Sequence, residues 1–188
     1  VVFKDTYKQT EYPAGDTQPV PTCLFLGTYF PMNVHGILWF VHEVLPKVNI
    51  KLQIVGKGMK AILPQVEGYK NIEVFSDVPN LKPYIENADF MLLPIFEGSG
   101  MKVKTCEALM YGKNIIGTTE AFEGYEVNFN KIGACCNTQD EFIRALNRVS
   151  EHPIPKFNRY AREVFVNNYS EEERKKRFEE VTIYRHTI

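Results

Sequence analysis

The chain has 188 residues, enough for one sizeable core or two very small ones. Its 44% hydrophobic and 24% charged residues are ordinary for a globular domain, and a formal net charge of −1 points away from a nucleic-acid or anionic-membrane partner. No apolar run approaches the ~18 residues of a membrane span, and Val1 to Ala14 mixes Lys, Asp, Thr and Tyr without the apolar stretch of a signal peptide.

Residues 1–20, rich in Thr, Gln, Pro, Gly and Asp, read as a lead-in or linker ahead of a folded unit over 21–188. Thr22-Cys23-Leu24-Phe25-Leu26 is a short apolar run ending at Gly27, the pattern of a strand buried on both faces. From Val34 the apolar residues Ile37, Leu38, Val41, Val44 and Leu45 recur at helical spacing, and Pro46 closes the segment. Lys51 to Val55 is a second strand turning at Gly56-Lys57-Gly58, and Ile72 to Phe75 is a third. A short helix over Leu81 to Asn87 leads to a fourth strand, Phe90 to Leu93. A helix from Met101 to Tyr111 stops at Gly112, and a fifth strand follows over Asn114 to Gly117. Gly133 to Cys136 is a short sixth strand; helices follow over Gln139 to Val149, 156–168 and 171–185, the last opened by a Ser170/Glu173 capping box.

Strands and helices alternating at roughly 20-residue intervals predict βαβ units, hence an α/β fold with a doubly wound, Rossmann-like parallel sheet. The cysteines, Cys23, Cys106, Cys135 and Cys136, show no Cys-x-x-Cys or Cys/His spacing of a zinc site. They read as free thiols of a cytoplasmic protein.

In such a sheet ligands bind beyond the carboxyl ends of the strands. Three glycine-bearing turns lie there: Gly27-Thr28, Gly56-Lys57-Gly58 and Gly98-Ser99-Gly100. Gly27 and Gly56 either admit a ligand close to the backbone or serve only as strand-to-helix turns. Gly56-Lys57-Gly58 does not complete Gly-x-Gly-x-x-Gly, because residue 61 is Ala, and there is no Walker A sequence. The third turn is more informative. With a helix starting near Met101, the N–H groups of Gly100, Met101 and Lys102 would face one anion, with Lys102 and Lys104 beside it. Without an anion, a lysine there is unfavourable by roughly 0.3–1 kcal/mol. Glu107, three residues past Lys104, has two readings from spacing alone: a surface pair with Lys104, or an acceptor for ribose hydroxyls next to a phosphate.

These residues resemble the C-terminal, donor-binding half of the group 1 (family 4) glycosyltransferases of GT-B architecture. Four pieces carry the resemblance in order: Phe25-Leu26-Gly27-Thr28 with Pro31 to Ile37; Leu52 to Gly58; Val74 to Val78 through Asp89; and Pro94 to Ala108 followed by Gly112 to Thr118. The resemblance spans about residues 20–185. It implies a nucleoside-diphosphate-sugar donor held by Gly27, Gly56, Glu97, Gly98, Ser99, Gly100, Met101, Lys102, Lys104 and Glu107. Glu107 would hold the nucleotide ribose, Lys102 or Lys104 the diphosphate, and Gly98 to Met101 would offer backbone contacts. It names no catalytic residue. Two departures stand out. Ser99 occupies the place of the family's first glutamate, with Glu97 two residues earlier. Asn33-Val34-His35-Gly36 replaces the usual basic residue followed by Lys-Gly, leaving Asn33 and His35 as either ligand contacts or a turn residue and a solvent-facing ring.

The resemblance further implies one half of a cleft enzyme, its acceptor-binding domain preceding Val1. The expected activity of the parent protein is transfer of a sugar, with retention, to a glycan or lipid-linked acceptor, without metal or a cofactor beyond the donor. The isolated chain would be inactive, and any association with the inner face of a membrane would come through the full-length protein. The alternatives are another GT-B enzyme, such as a nucleotide-sugar epimerase, and a non-catalytic nucleotide-sugar-binding module.

Overall fold

The computed structural model describes residues 20–173, 175 and 176. The expected lead-in before Val20 and the end of the last expected helix lie outside the described residues. Six strands, β1 (Thr22–Leu26), β2 (Lys51–Gly56), β3 (Ile72–Ser76), β4 (Phe90–Leu93), β5 (Asn114–Gly117) and β6 (Gly133–Cys135), form one sheet in the order β3-β2-β1-β4-β5-β6. All five pairings are parallel, as crossover connections require. The helices are α1 (Pro31–Trp39), α2 (Leu63–Val66), α3 (Lys82–Asn87), α4 (Val103–Met110), α5 (Phe129–Ile132), α6 (Gln139–Glu151) and α7 (Arg159–Asn168).

Apolar residues on successive strand positions fill both faces, because side chains alternate across a pleated sheet. Cys23 and Phe25 of β1, Leu52 and Ile54 of β2, and Phe90 and Leu92 of β4 face one core with Ile37, Phe40, Phe142 and Leu146. Leu24, Leu26, Val55, Met91 and Leu93 face the other, against Ile85, Ala108, Leu109 and Val164.

Helix starts differ from the periodicity. Helix α1 begins at Pro31 rather than Val34, since proline is pre-organised for the first helical position. After Trp39 it widens into a π turn over Phe40–Val44, closed by the Leu45 N–H on the Phe40 carbonyl. Helix α7 begins at Arg159, three residues later than expected, because the Asn158 side chain accepts from the Ala161 N–H at 3.0 Å. At Ser170 the Glu173 N–H donates to the side-chain oxygen at 3.2 Å, one half of the expected capping box. Helix α4 begins at Val103, not Met101, with Lys102 extended at its N-cap (ψ 119°).

The winding direction changes between β1 and β4, so the loops after them part and leave a crevice at the carboxyl edge. Two glycines set how closely its walls approach. A Cβ on Gly36 would lie 1.9 Å from the Pro94 carbonyl oxygen, so α1 rests directly on the chain leaving β4. A Cβ on Gly56 would lie 1.8 Å from the Gly27 carbonyl oxygen, so the turns after β1 and β2 touch backbone to backbone.

Candidate functional site

The crevice holds a cavity of about 550 Å³ whose walls include Gly27, Thr28, Gly56, Asp77, Lys104 and Glu107. Its floor is built by the sheet itself. The Gly27 N–H donates to the Val55 carbonyl at 3.0 Å and the Tyr29 N–H to that of Lys57 at 2.8 Å, which continues the β1–β2 ladder into the turns.

Lys104 lies in the first turn of α4, and its Nζ reaches across the crevice to donate to Asn33 Oδ1 of α1 at 2.7 Å. Asn33 is held in turn by its own Nδ2, which donates to the Thr28 carbonyl at 2.9 Å. The ammonium also stands 5.9 Å from the centroid of the Phe25 ring. Burial lowers the Lys104 pKa, and the neighbouring Lys102 charge adds to this while Glu107 opposes it. Glu107 is one helical turn further along the same face. Burial raises its pKa, with Lys104 pulling the other way. The site therefore pairs a cation and a carboxylate that both lack full hydration.

Lys102 is differently engaged. Its Nζ donates to the Gly100 carbonyl at 2.6 Å, to Glu120 Oε1 at 2.6 Å and to Glu123 Oε2 at 2.9 Å. Burial would lower its pKa, but the hydrogen bonds it donates to both carboxylates outweigh that and raise it. Since α4 starts at Val103, the N–H groups of Gly100 and Met101 belong to a loop and not to a helical first turn. The sequence-based picture of Gly100, Met101 and Lys102 converging on one anion is corrected accordingly: the Lys102 side chain points to acidic partners, and its backbone is extended. Glu97, Gly98, Ser99, Gly100 and Met101 are exposed on the same loop, outside the residues that line the cavity.

Eight lining residues were not among the sequence-derived donor contacts; the polar ones are Thr28, Asn33, Lys57 and Asp77, of which the sequence leaves Asn33 open as a ligand contact or a turn residue. Asp77 has φ 56° and is the one non-glycine with positive φ among the described residues. Asp is among the residues that tolerate this region. Its carboxylate accepts from Ser76 Oγ at 2.5 Å and from the Gly58 N–H at 3.2 Å. The Ser76 bond leads in lowering its pKa, assisted by Gly58 and by the Lys57 charge. A Ser-Asp pair at the end of a strand was the available signal for it. His35 is exposed, its ring 6.5 Å from that of Phe96. Among the described residues there is no cluster of three or more His, Cys, Asp or Glu placed to hold a metal ion, and no helix is long and apolar enough to cross a membrane.

The profile of the family described as glycosyl transferases group 1 matches residues 20–152, from the strand before the crevice to the end of α6. The chain belongs to the group 1 glycosyl transferases. A curated relative of this glycosyl transferase, an uncharacterized 44.6 kDa protein in the cps region of Klebsiella pneumoniae, is 25% identical over 146 residues, which cover 69% of this chain and 37% of that protein. The chain thus spans little more than a third of that relative's length. Among solved structures it is similar to sucrose-phosphate synthase from Thermosynechococcus elongatus (TM-score 0.68, 15% identity, 90% of this chain and 46% of that one). It is also similar to the C-terminal domain of LpcC, a group 1 glycosyl transferase of Francisella tularensis (TM-score 0.59, 12% identity, 85% and 96%). Anabaena HepE, solved with UDP and glucose, is a third (TM-score 0.58, 10% identity, 78% and 43%). At these identities the likeness is one of fold: the chain is a Rossmann-like unit of the GT-B type.

Proposed function

We propose that the crevice binds the diphosphate and ribose of a nucleoside-diphosphate-sugar donor, and that the parent protein transfers the sugar, with retention, to a glycan or lipid-linked acceptor. The observation that carries this reading is the convergence of Lys104 and Glu107 on one wall of the crevice at the switch point between β1 and β4. Lys104 would give its remaining ammonium hydrogens to phosphate oxygens, and Asn33 fixes its direction. Glu107 would accept from the ribose hydroxyls, an interaction that favours the ionised carboxylate over its buried, protonated form. The backbone N–H groups at the start of α4, which no side chain caps, add to the attraction for an anion. The same groups would stabilise charge on the departing diphosphate during transfer.

Two neighbours support the choice of donor and setting. HepE was solved with UDP and glucose, and the Klebsiella relative comes from a cps region. The acceptor would be met by another domain of the parent protein, and this chain would be the donor-binding half, which would not turn over alone. Calorimetry with a panel of nucleoside diphosphates tests the reading. One of them is expected to bind, and Lys104→Ala with Glu107→Ala to abolish that binding; no binding by any, or binding unchanged in the double variant, would overturn it.

A further inference from the structure

We infer that Lys102 is a strut and not a phosphate ligand: Glu120 and Glu123 hold it, and through it they position the Gly98–Lys102 loop, which leaves Lys104 as the cation that meets the diphosphate. This rests on the reading of the crevice given above.

An ammonium group has three N–H donors. Those of Lys102 face three acceptors within 2.9 Å, the Gly100 carbonyl and the two glutamates, so none is left for a phosphate. The cluster of one cation and two carboxylates is net negative and would repel a diphosphate. Lys104 donates to one neutral amide oxygen, Asn33 Oδ1, and forms no ion pair within 4.0 Å among the described residues. Its other two donors remain available.

Further contacts tie the same loop and the first turn of α4 to the segment after β5. The Tyr125 hydroxyl donates to the Lys102 carbonyl at 2.8 Å, and the Thr105 hydroxyl donates to the Ala121 carbonyl at 2.5 Å. Met101 lies over Gly124, where a Cβ would come within 2.6 Å of its Cγ. Glu120 and Glu123 are therefore positioning residues, acting through Lys102 on the loop that leads into α4.

Lysine acylation read by mass spectrometry, with amide hydrogen exchange of residues 98–102, tests this without nucleotide. Lys102 is expected to acylate about tenfold or more slowly than Lys104, because its ammonium must first give up its charged hydrogen bonds to Glu120 and Glu123. Glu120→Gln/Glu123→Gln should raise Lys102 acylation about tenfold and quicken loop exchange. Lys102→Met should quicken exchange to the same extent, adding the two glutamine substitutions to it should change nothing further, and Lys102→Arg should keep the loop protected. Lys102 acylating as fast as Lys104, or loop exchange unmoved in Lys102→Met, would overturn the inference. A second measurement adds the nucleoside diphosphate that binds best from UDP, GDP, ADP, CDP and dTDP. Protection of Lys104 alone supports the strut, and protection of Lys102 beyond that of Lys104 overturns it. If none of the five binds, the donor reading fails, and the nucleotide-free measurements still decide the role of Lys102.

Discussion

Lys104 is costly to keep where it is. It lies at the positive end of a helix, partly removed from water, with burial already lowering its pKa. Its ammonium donates to the side chain of Asn33, a neutral group. A bound diphosphate would reverse that balance, because hydrogen bonds between charged groups are worth about 1.5–3 kcal/mol. Lys104→Met is therefore expected to weaken nucleoside diphosphate binding by about tenfold or more while leaving the parent nucleoside unaffected. The pH dependence has a definite sign. A lysine with a lowered pKa gives up its proton below the usual 10.5, so affinity for the diphosphate should fall as pH rises from neutrality towards that value. Calorimetric titrations of the wild type and of Lys104→Met across this range check it; parallel profiles for the two proteins would remove Lys104 from the phosphate site.

At the scale of elements, the crevice depends on how closely α1 can approach the end of β4, and Gly36 sets that distance. Alanine in a helix interior is favoured over glycine by about 1 kcal/mol. Here its Cβ would meet the Pro94 carbonyl at 1.9 Å, a backbone atom that cannot swing aside. Overpacking of this kind costs about 1–3 kcal/mol or more, so the clash outweighs the propensity gain. Gly36→Ala is expected to lower stability by about 1–2 kcal/mol net in urea denaturation and to weaken diphosphate binding, because α1 carries Asn33. A stability unchanged or raised would show that α1 can lift from the sheet at no cost. The same approach shows what the sequence could convey. The strands were legible because burial on both faces leaves near-continuous apolar runs, and their alternation with helices implied parallel pairing. Lys104 and Glu107 were legible as a pair because they lie one turn apart. The start of α4 was not, because the residues that take Lys102 out of the helix, Glu120 and Glu123, lie 18 and 21 residues further on. Asp77 escaped notice for a similar reason: its left-handed backbone is stabilised by the N–H of Gly58, 19 residues earlier on the neighbouring strand's turn.

Across the whole molecule, the edge of the sheet opposite the crevice is pinned by a buried lysine. Lys113 lies just before β5 and is 2% exposed. Its Nζ donates to the carbonyls of Glu86 at 3.0 Å and Ala88 at 2.8 Å, at the end of α3. Lys156 adds a bond to the Asn87 carbonyl at 2.8 Å, so two cations cap one helix C-terminus, as its dipole favours. Burial and the Lys156 charge push the Lys113 pKa down from 10.5 to about 8, against the pull of Asp89 and Glu86. Between pH 8 and 10.5 the unfolded chain keeps a proton that the folded one has released, so this group makes stability rise with pH through that window. Below about 8 both states are charged and the folded state bears the full cost of burial. At about 1.4 kcal/mol per pKa unit, the rise is at most about 3.5 kcal/mol. The Cys136 thiol, pushed up to about 12 by burial, works in the opposite direction above its ordinary 9.0. The measurement is therefore a difference: urea denaturation of the wild type and of Lys113→Met at matched pH values from 7.5 to 10.5. The neutral variant loses the bonds to α3 and should be less stable throughout, and its deficit should widen as pH rises. A deficit that stays constant would mean that Lys113 keeps its proton in the folded state and that its two carbonyl partners fully offset the cost of burying it.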